Sequence, residues 1–561
     1  MWLKILWILS LLSVLLPPIG FMMNGFSYVA NRHVWIFNFL TCFVFAIEYK
    51  TLYQNKKNVL ISVVLTVIYT VVLIVNKDAI NLDRIAAIII LTLTLAISML
   101  CIYKTVRRNS VRHIIMGGLV FAGIIIHIIS IFVNRDGWNK FIQLDELQAR
   151  YNVEYQNAYD AINDTSYYRL DWDDGRKKAN TINNSKENGA TYAYWSFMNP
   201  NTTEFLNSNG LLQIVQEWDG LDNRPALQAF LSCKYFVSNS DIPLEGYKYL
   251  NDGIYRNDNY VPFASVYSSY SDIESYNTLT FGQRQSAQLD RVFVSDLAIS
   301  DDSEMTKIGT VKSYTLDYEV NEGVNTWNGE SFIIKEPSEP VHFMFRCDPE
   351  GELMFGIYGL EYSKEDLGSG VEIVAESGSV RKSWIHNTPS NRYYFGKRDY
   401  LFNMGISREE RMSLDLYFSK EGIYTVKSLS VENVPYKETL EKIWNIKERS
   451  GGVSTEIGRN SVLVKTSNDN TDNILYLSVP YSKGWSVLID GEHRNVVNAN
   501  VFGMATEISA GSHIVEFRYI TPYLQEGMFL GMIGMFIYIL LCFGSAKNKN
   551  CSTMNLFTGI K

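Results

Sequence analysis

Hydrophobic and polar positions divide this chain into three kinds of pattern. Five long apolar stretches come first, near Trp2–Met22, His33–Tyr49, Val59–Val75, Ile85–Tyr103 and His113–Val133. A sixth, Gly527–Phe543, stands near the other end. Each is about the length needed to cross a hydrocarbon core of roughly 30 Å. Between them, residues 134–526 alternate short apolar runs with polar turns. The pattern predicts a multispanning α-helical membrane protein of about six spans, carrying a large extracytoplasmic α/β plus β-sandwich region. The first stretch holds Pro17 and Pro18 and is followed by no small-residue cleavage site, so it is expected to be a retained span.

Charge sets the expected orientation. Lys50, Lys56, Lys57, Lys104, Arg107, Arg108, Arg112, Lys547 and Lys549 fall on one set of short loops and tails. The other set holds Arg32, Lys77 and Arg84. By the positive-inside rule the richer side is cytoplasmic. Both termini are then expected inside and residues 134–526 outside. Of the 59 acids only Glu48, Asp78 and Asp83 precede residue 134 and none follows 526, so the net charge of −8 belongs to the outer region. Such a surface excludes nucleic acid as a partner.

The outer region is too long for one typical domain. The expected division is a membrane block at 1–133, a mixed α/β subdomain at 134–279, a β-sandwich or jelly-roll domain at 280–450, a small β-domain at 451–526, and a final helix with a cytoplasmic tail at 527–561. LDELQARYNVEYQNAYDAI has helical spacing, and SYYRLDW, ALQAFLSCKYFVS and YKYLNDGIYRN read as strands and a helix. SFIIKE, VHFMFRC, ELMFGIYG, VEIVAES, SLDLYFS and YTVKSLSVE read as strands. The helix YKETLEKIWNIKER leads to SVLVKTS, ILYLSVP, WSVLIDG and HIVEFRY, and Asp490-Gly491 marks a hairpin. Of the six cysteines only Cys233 and Cys347 fall in the outer region. Two isolated buried thiols are the expected reading, with a disulfide as the alternative.

Several motifs carry a family resemblance. Val479-Pro480-Tyr481-Ser482-Lys483-Gly484-Trp485 is followed by Asp490-Gly491, then Gly511-Ser512-His513 and Phe517-Arg518-Tyr519. Asn24-Gly25-Phe26-Ser27-Tyr28 precedes Asn31-Arg32 near the front. Tyr167-Tyr168-Arg169, Tyr192-Ala193-Tyr194-Trp195-Ser196 and Leu231-Ser232-Cys233-Lys234-Tyr235-Phe236-Val237 lie between. In this order they resemble the bacterial YfhO family of envelope membrane proteins. The resemblance implies C-type glycosyltransferase-like chemistry on cell-wall polymers, lipoteichoic acid above all. A polyprenyl-phosphate sugar would be the donor, and a carboxylate in the first outer loop the base. That loop, residues 23–32, holds no Asp or Glu. The resemblance implies about a dozen or more spans with the NGFSY loop late among them, so the chain is expected to be the C-terminal half or more of a member, with a second membrane protein supplying the missing spans and base.

Sugar transfer from a lipid phosphate needs a base, a cation at the leaving phosphate and an acceptor platform. The carboxylate candidates are Asp136, Asp78 and Asp83, each with a solvated-loop alternative. The phosphate or lipid-headgroup candidates are Arg32, Arg84 and Arg135. Trp195 and Trp485 are candidate sugar platforms, with Trp384 beside them, although aromatic residues also fill β-sandwich cores. Asn24, Gly25, Tyr28, Arg169, Pro480, Gly484, Asp490 and Gly491 complete the motif positions, and Gly484 is expected to allow a positive φ. His127 is an ionisable group in an apolar stretch. Asp171–Asp174 forms an Asp-x-Asp pattern that reads as a polar turn. The seven histidines are scattered, and neither a metal nor a cofactor is expected. The first functional reading is a component of envelope glycopolymer glycosylation. The alternative is a noncatalytic, membrane-anchored polymer-binding or scaffold protein.

Overall fold

The structure is a computed structural model. It describes residues 2–24, 29, 31–54, 56–75, eleven positions scattered between 92 and 145, and most of 162–554. Outside the described residues in that last stretch lie 163, 174–188, 196, 239–241, 243, 252, 296–304, 322, 365–369, 390, 392 and 469–472. The chain divides into two compact units, Met1–Gln148 and Ala149–Lys561.

The described chain is mostly β-strand, with ten helices. The expected six-span helical bundle is overturned, because among the described residues no single helix is long and apolar enough to cross a membrane. The reason is plainest in the first stretch. Pro17 and Pro18 end the helix Trp2–Leu15, and a second helix, Pro17–Met23, leaves at 91°. The apolar part of the helix Val34–Gln54 stops at Glu48, and that of Leu524–Met554 at Leu540. The stretches expected at 85–103 and 113–133 lie largely outside the described residues, as does the helical run at 144–162.

In the first unit the helices pair through polar groups as well as packing. Trp7 Nε1 donates to Thr41 Oγ1 at 2.8 Å, and Asn31 Nδ2 donates to the Val14 carbonyl at 3.0 Å. Lys4 and Glu48 form an ion pair at 3.0 Å.

The second unit is built in layers. A five-stranded sheet runs in the order Gly189–Ala190, Arg169–Trp172, Cys233–Val237, Ile254–Asn257, Tyr247–Asn251. Its first two pairings are parallel. A seven-stranded sheet takes Ala264–Tyr267, Ser269–Asp272, Val292–Val294 and Thr306–Lys307 from one stretch of chain and Asn473–Leu477, Val497–Ala499 and Gly503–Ile508 from another. Both faces of this sheet are covered. On one side Tyr267, Val292, Ile474 and Tyr476 pack with Phe205, Phe230, Ile443 and Ile446 from three helices, Pro200–Ser208, Pro225–Phe230 and Tyr436–Arg449. On the other, Val266, Leu475 and Met504 meet Val462, Val464, Val487, Val515 and Phe517. These belong to a second five-stranded sheet, ordered Ser454–Ile457, Ser461–Asn468, Gly511–Tyr519, Trp485–Ile489, Glu492–Arg494. Its alternation is the one that a half-buried strand requires.

Residues 315–435 form a sandwich of three sheets around Phe332, Phe343, Phe355, Tyr400, Phe418 and Tyr424. The runs read there as strands are strands in the structure, except that YTVKSLSVE is split between Gly422–Thr425 and Ser428–Pro435, which belong to different sheets. Cys233 and Cys347 are both free and buried.

Candidate functional site

Arg169 and the VPYSKGW segment meet at a buried junction. Arg169 is buried in its strand. Its Nη1 donates to the Leu231 carbonyl and to Ser478 Oγ, each at 2.7 Å, and its Nη2 donates to the Ser478 carbonyl. The guanidinium lies 4.8 Å from the centre of the Phe263 ring. It thereby ties two sheets to the segment that begins the VPYSKGW run. Two residues on, the Tyr481 carbonyl accepts from Asn199 Nδ2 and Asn201 Nδ2, both at 2.9 Å. Pro480 is half-buried between these anchors.

Gly484 departs from expectation in its reason. It has no positive φ. What requires glycine is a close approach: an added Cβ would stand 2.2 Å from the Ile520 carbonyl oxygen and 2.7 Å from the Tyr519 ring. Trp485 is half-buried, with its ring 5.3 Å from that of Tyr519. It packs against the strands of the C-terminal sheet. Asp490 and Gly491 make the hairpin turn, at φ 52° and 87°. Asp490 pairs with His513 Nδ1 at 2.7 Å and accepts from the Ile514 amide at 2.9 Å. His513 Nε2 lies 3.1 Å from Ser509 Oγ. That chain has the hydrogen-bond order of an acid, a base and a nucleophile. Asp490 and Ser509 both lie in exposed turns, however, so the group braces two neighbouring turns.

An open cleft lies elsewhere, between the first five-stranded sheet and the sandwich. The cleft, of about 490 Å³, is walled by Asp173, Asp219, Asp222, Glu372, Lys382 and Trp384, with Trp172 and Tyr192 also lining it. Asp173 follows its strand directly and accepts from Ser238 Oγ. Asp222 and Asn223 occupy consecutive left-handed conformations, at φ 55° and 54°. The Asp222 carboxylate binds Lys382 Nζ, and Asn403 Nδ2 donates to its carbonyl at 2.9 Å. Trp384 is held by its Nε1 donating to the Leu401 carbonyl at 2.5 Å. Lys397 Nζ sits 3.5 Å from the centre of that indole and donates to the Leu212 carbonyl at 2.6 Å. Burial pushes this ammonium well below its usual pKa.

Behind the cleft, Asp171 is fully buried. It accepts from Gln228 Nε2 at 2.7 Å and from Thr191 Oγ1. Burial raises its carboxyl to about 6 against the pull of those bonds. The Asp-x-Asp pattern is thus part strand and part cleft wall. Among the described residues no group of three or more His, Cys, Asp or Glu is placed to hold a metal ion.

Chemically, the cleft offers four carboxylates, one ammonium and indole surface. Carboxylates accept hydrogen bonds from hydroxyl groups, and indoles cover apolar faces of sugar rings. The excess of negative charge disfavours a phosphate there.

Trp195, Arg32 and Asn24 are not among the residues that line the cleft. Trp195 is 58% exposed, and its amide donates to the Gln216 carbonyl at 2.8 Å. Arg32 lies in an exposed turn of the first unit, and Asn24 caps the helix Pro17–Met23. Gly25, Tyr28, Asp78, Asp83, Arg84, His127, Arg135 and Asp136 lie outside the described residues. Asp219, Asp222, Glu372 and Lys382 carried no sequence signal, since they belong to three separated loops and strands.

The sequence profile described as "Bacterial membrane protein YfhO" matches residues 2–531. The chain belongs to the YfhO family. It is therefore a bacterial membrane protein. A curated relative, the "Uncharacterized protein YfhO" of Bacillus subtilis (strain 168), is 18% identical over 560 residues. That alignment covers 95% of this chain and 62% of the relative, so the chain spans less than two thirds of the relative's length. Among solved structures, the mycobacterial arabinofuranosyltransferase AftD gives a TM-score of 0.14 at 8% identity, over 41% of this chain and 26% of that one. A likeness that slight carries no argument about fold or chemistry.

Proposed function

We propose that this YfhO-family chain is the acceptor-recognising component of a glycosyltransferase-like system that adds sugar to a cell-envelope polymer. The observation that carries the reading is the cleft bounded by Asp173, Asp222, Glu372, Lys382 and Trp384, whose carboxylates and indole suit a polyhydroxyl ligand. Family membership supplies the membrane setting. In this reading the second unit faces outward, both termini face the cytoplasm, and the cleft holds a sugar-bearing stretch of a polymer such as lipoteichoic acid. The donor is a polyprenyl-phosphate sugar, and Arg32, Arg84 and Arg135 are the cations offered to its phosphate. Asp136, Asp78 and Asp83 are the carboxylates offered as base. A second membrane protein supplies the base if none of these does.

The absence of acid from residues 23–32 favours a second reading, a noncatalytic polymer-binding scaffold. One experiment separates the two. Sugar content of the wall polymer is measured in a strain deleted for this chain. The strain is then complemented with wild type, Arg32→Ala, Asp136→Asn or the cleft double variant Asp222→Asn/Glu372→Gln. Sugar lost on deletion, restored by wild type and not by the cleft variant supports acceptor recognition. Failure of Arg32→Ala and Asp136→Asn to restore it adds a transferase site in the same chain. Unchanged sugar in the deletion strain removes the glycosylation reading altogether.

A further inference from the structure

Among its described residues the second unit carries an exposed apolar surface. Every residue of the helix Leu524–Met554 from Leu524 to Leu540 is exposed, including Met528, Phe529, Leu530, Phe536 and Tyr538. An all-round apolar helix has no stable place in water. In a membrane protein, lipid is the medium that removes this cost.

The apolar exposure does not stop at the helix. Just before it, Ile520 is 59% exposed and Tyr523 79%. Tyr523 also holds a left-handed backbone, at φ 61°, an uncommon conformation for a bulky residue. A separate part of the chain adds Trp195 at 58% and Phe197 at 79% exposure.

These two groups are bound to one short segment. The Asn199 and Asn201 amides, directly after Phe197, hold the Tyr481 carbonyl. Three residues further on, the Gly484 carbonyl accepts from the Ile520 amide at 3.0 Å, and a Cβ added at Gly484 would stand 3.1 Å from Pro522 Cδ. Lys483 lies exposed between the two anchors. The surface is thus a rim of Trp, Phe, Tyr and Ile with a lysine, around the root of the apolar helix. Trp and Tyr are the residues that settle at a membrane–water interface, and lysine is suited to anionic headgroups.

We infer that Trp195, Phe197, Ile520 and Tyr523 form a bilayer-docking rim that seats the second unit in the headgroup layer where the helix Leu524–Met554 begins. The VPYSKGW segment is the bracket that holds the two halves of the rim together. This inference stands apart from the sugar-binding reading, because none of its residues lines the cleft.

The test is photolabelling of the full chain, reconstituted in phosphatidylcholine–phosphatidylglycerol vesicles. The vesicles are doped with a lipid bearing a diazirine near the headgroup end of its acyl chain. Adducts are then mapped by mass spectrometry. Adducts are expected on peptides holding Trp195 and Phe197 and on those holding Ile520 and Tyr523, besides the helix itself. Exposed Ile423, on the sandwich strand Gly422–Thr425, serves as the unlabelled reference. In Trp195→Ser/Phe197→Ser, labelling at 194–198 is expected to fall to the Ile423 level, while that at 520–524 remains. Adducts confined to the helix would overturn the inference. So would labelling of Ile423 equal to that of Phe197.

Discussion

The junction at Arg169 and Tyr481 and the cleft at Asp222 and Trp384 lie in the same unit and are built on opposite principles. The junction is made of contiguous, recognisable sequence, and its polar groups are consumed in holding strands together: three donors of one guanidinium, two asparagine amides and one close-packed glycine. The cleft is made of residues scattered from Asp173 to Trp384, and its carboxylates line a cavity, Asp222 paired there with Lys382 and Asp173 with Ser238. Motifs that identify the family therefore mark the lock of the fold. In the proposed reading, recognition falls mainly to positions outside those motifs. Substitutions at the junction should cost stability, and substitutions in the cleft should cost binding.

The strongest way to break this contrast is Gly484→Ala. The new methyl would meet a backbone oxygen at 2.2 Å, and no side-chain rotation can relieve that. A loss of roughly 4 kcal/mol is expected, read as a drop in urea midpoint. A near-neutral outcome would show that the strand Gly511–Tyr519 can move freely at its end, and the bracket would lose its rigidity. Arg169→Met comes next. It leaves the Leu231 and Ser478 carbonyls without their donor, an expected cost of about 3 kcal/mol. Lost stability with unchanged cleft affinity would keep the two regions distinct.

Much of the local structure was legible, and for definite reasons. The sandwich strands alternate with period two, as in Val341–Arg346, where Val341, Phe343 and Phe345 are buried and Met344 and Arg346 exposed. The helix Tyr436–Arg449 buries Tyr436, Thr439, Ile443 and Ile446, spaced three or four apart. Asp490-Gly491 announced its own turn. Other features were not legible. The pairing of Ala264–Tyr267 with Asn473–Leu477 joins strands some 200 residues apart, and alternation says nothing of which strand will be the neighbour. The apolar run at the N-terminus obscured the break that Pro17 and Pro18 impose. Gly484 was legible as a required glycine but not as a close approach, because the Ile520 oxygen is far away in sequence. The cleft was invisible for the same reason.

Acidity sharpens the contrast at the boundary between the two regions. Asp171 stands behind the cleft and Glu352 at its neighbouring sheet, both fully buried. Burial raises Asp171 to about 6 and, against the attraction of Arg224, raises Glu352 to about 7. Both folded values lie above the ordinary ones of 3.8 and 4.5. The folded state therefore keeps protons that the unfolded chain has already released. Stability should fall as pH rises from about 4 to 7 and level off above that. Urea midpoints at pH 5 and pH 7.5 test this. Asp171→Asn, which stays neutral and keeps a carbonyl acceptor for Thr191, should flatten part of the slope. An unchanged slope would mean that Asp171 is already ionised in the fold.

Asp222→Asn should have the smallest effect on stability and is the most telling about the cleft. Asparagine tolerates the left-handed backbone that Asp222 adopts, and the backbone carbonyl still accepts from Asn403. Only the partly exposed ion pair with Lys382 is lost, an expected cost of less than about 1 kcal/mol. Affinity for a neutral oligosaccharide, followed by calorimetry on the full chain, should nonetheless fall by about tenfold, the worth of one charge-assisted hydrogen bond. If instead the variant unfolds as readily as Arg169→Met, Asp222 belongs to the lock. The division between a motif-built junction and an unmarked recognition surface would then have to be redrawn with the Lys382 pair on the structural side.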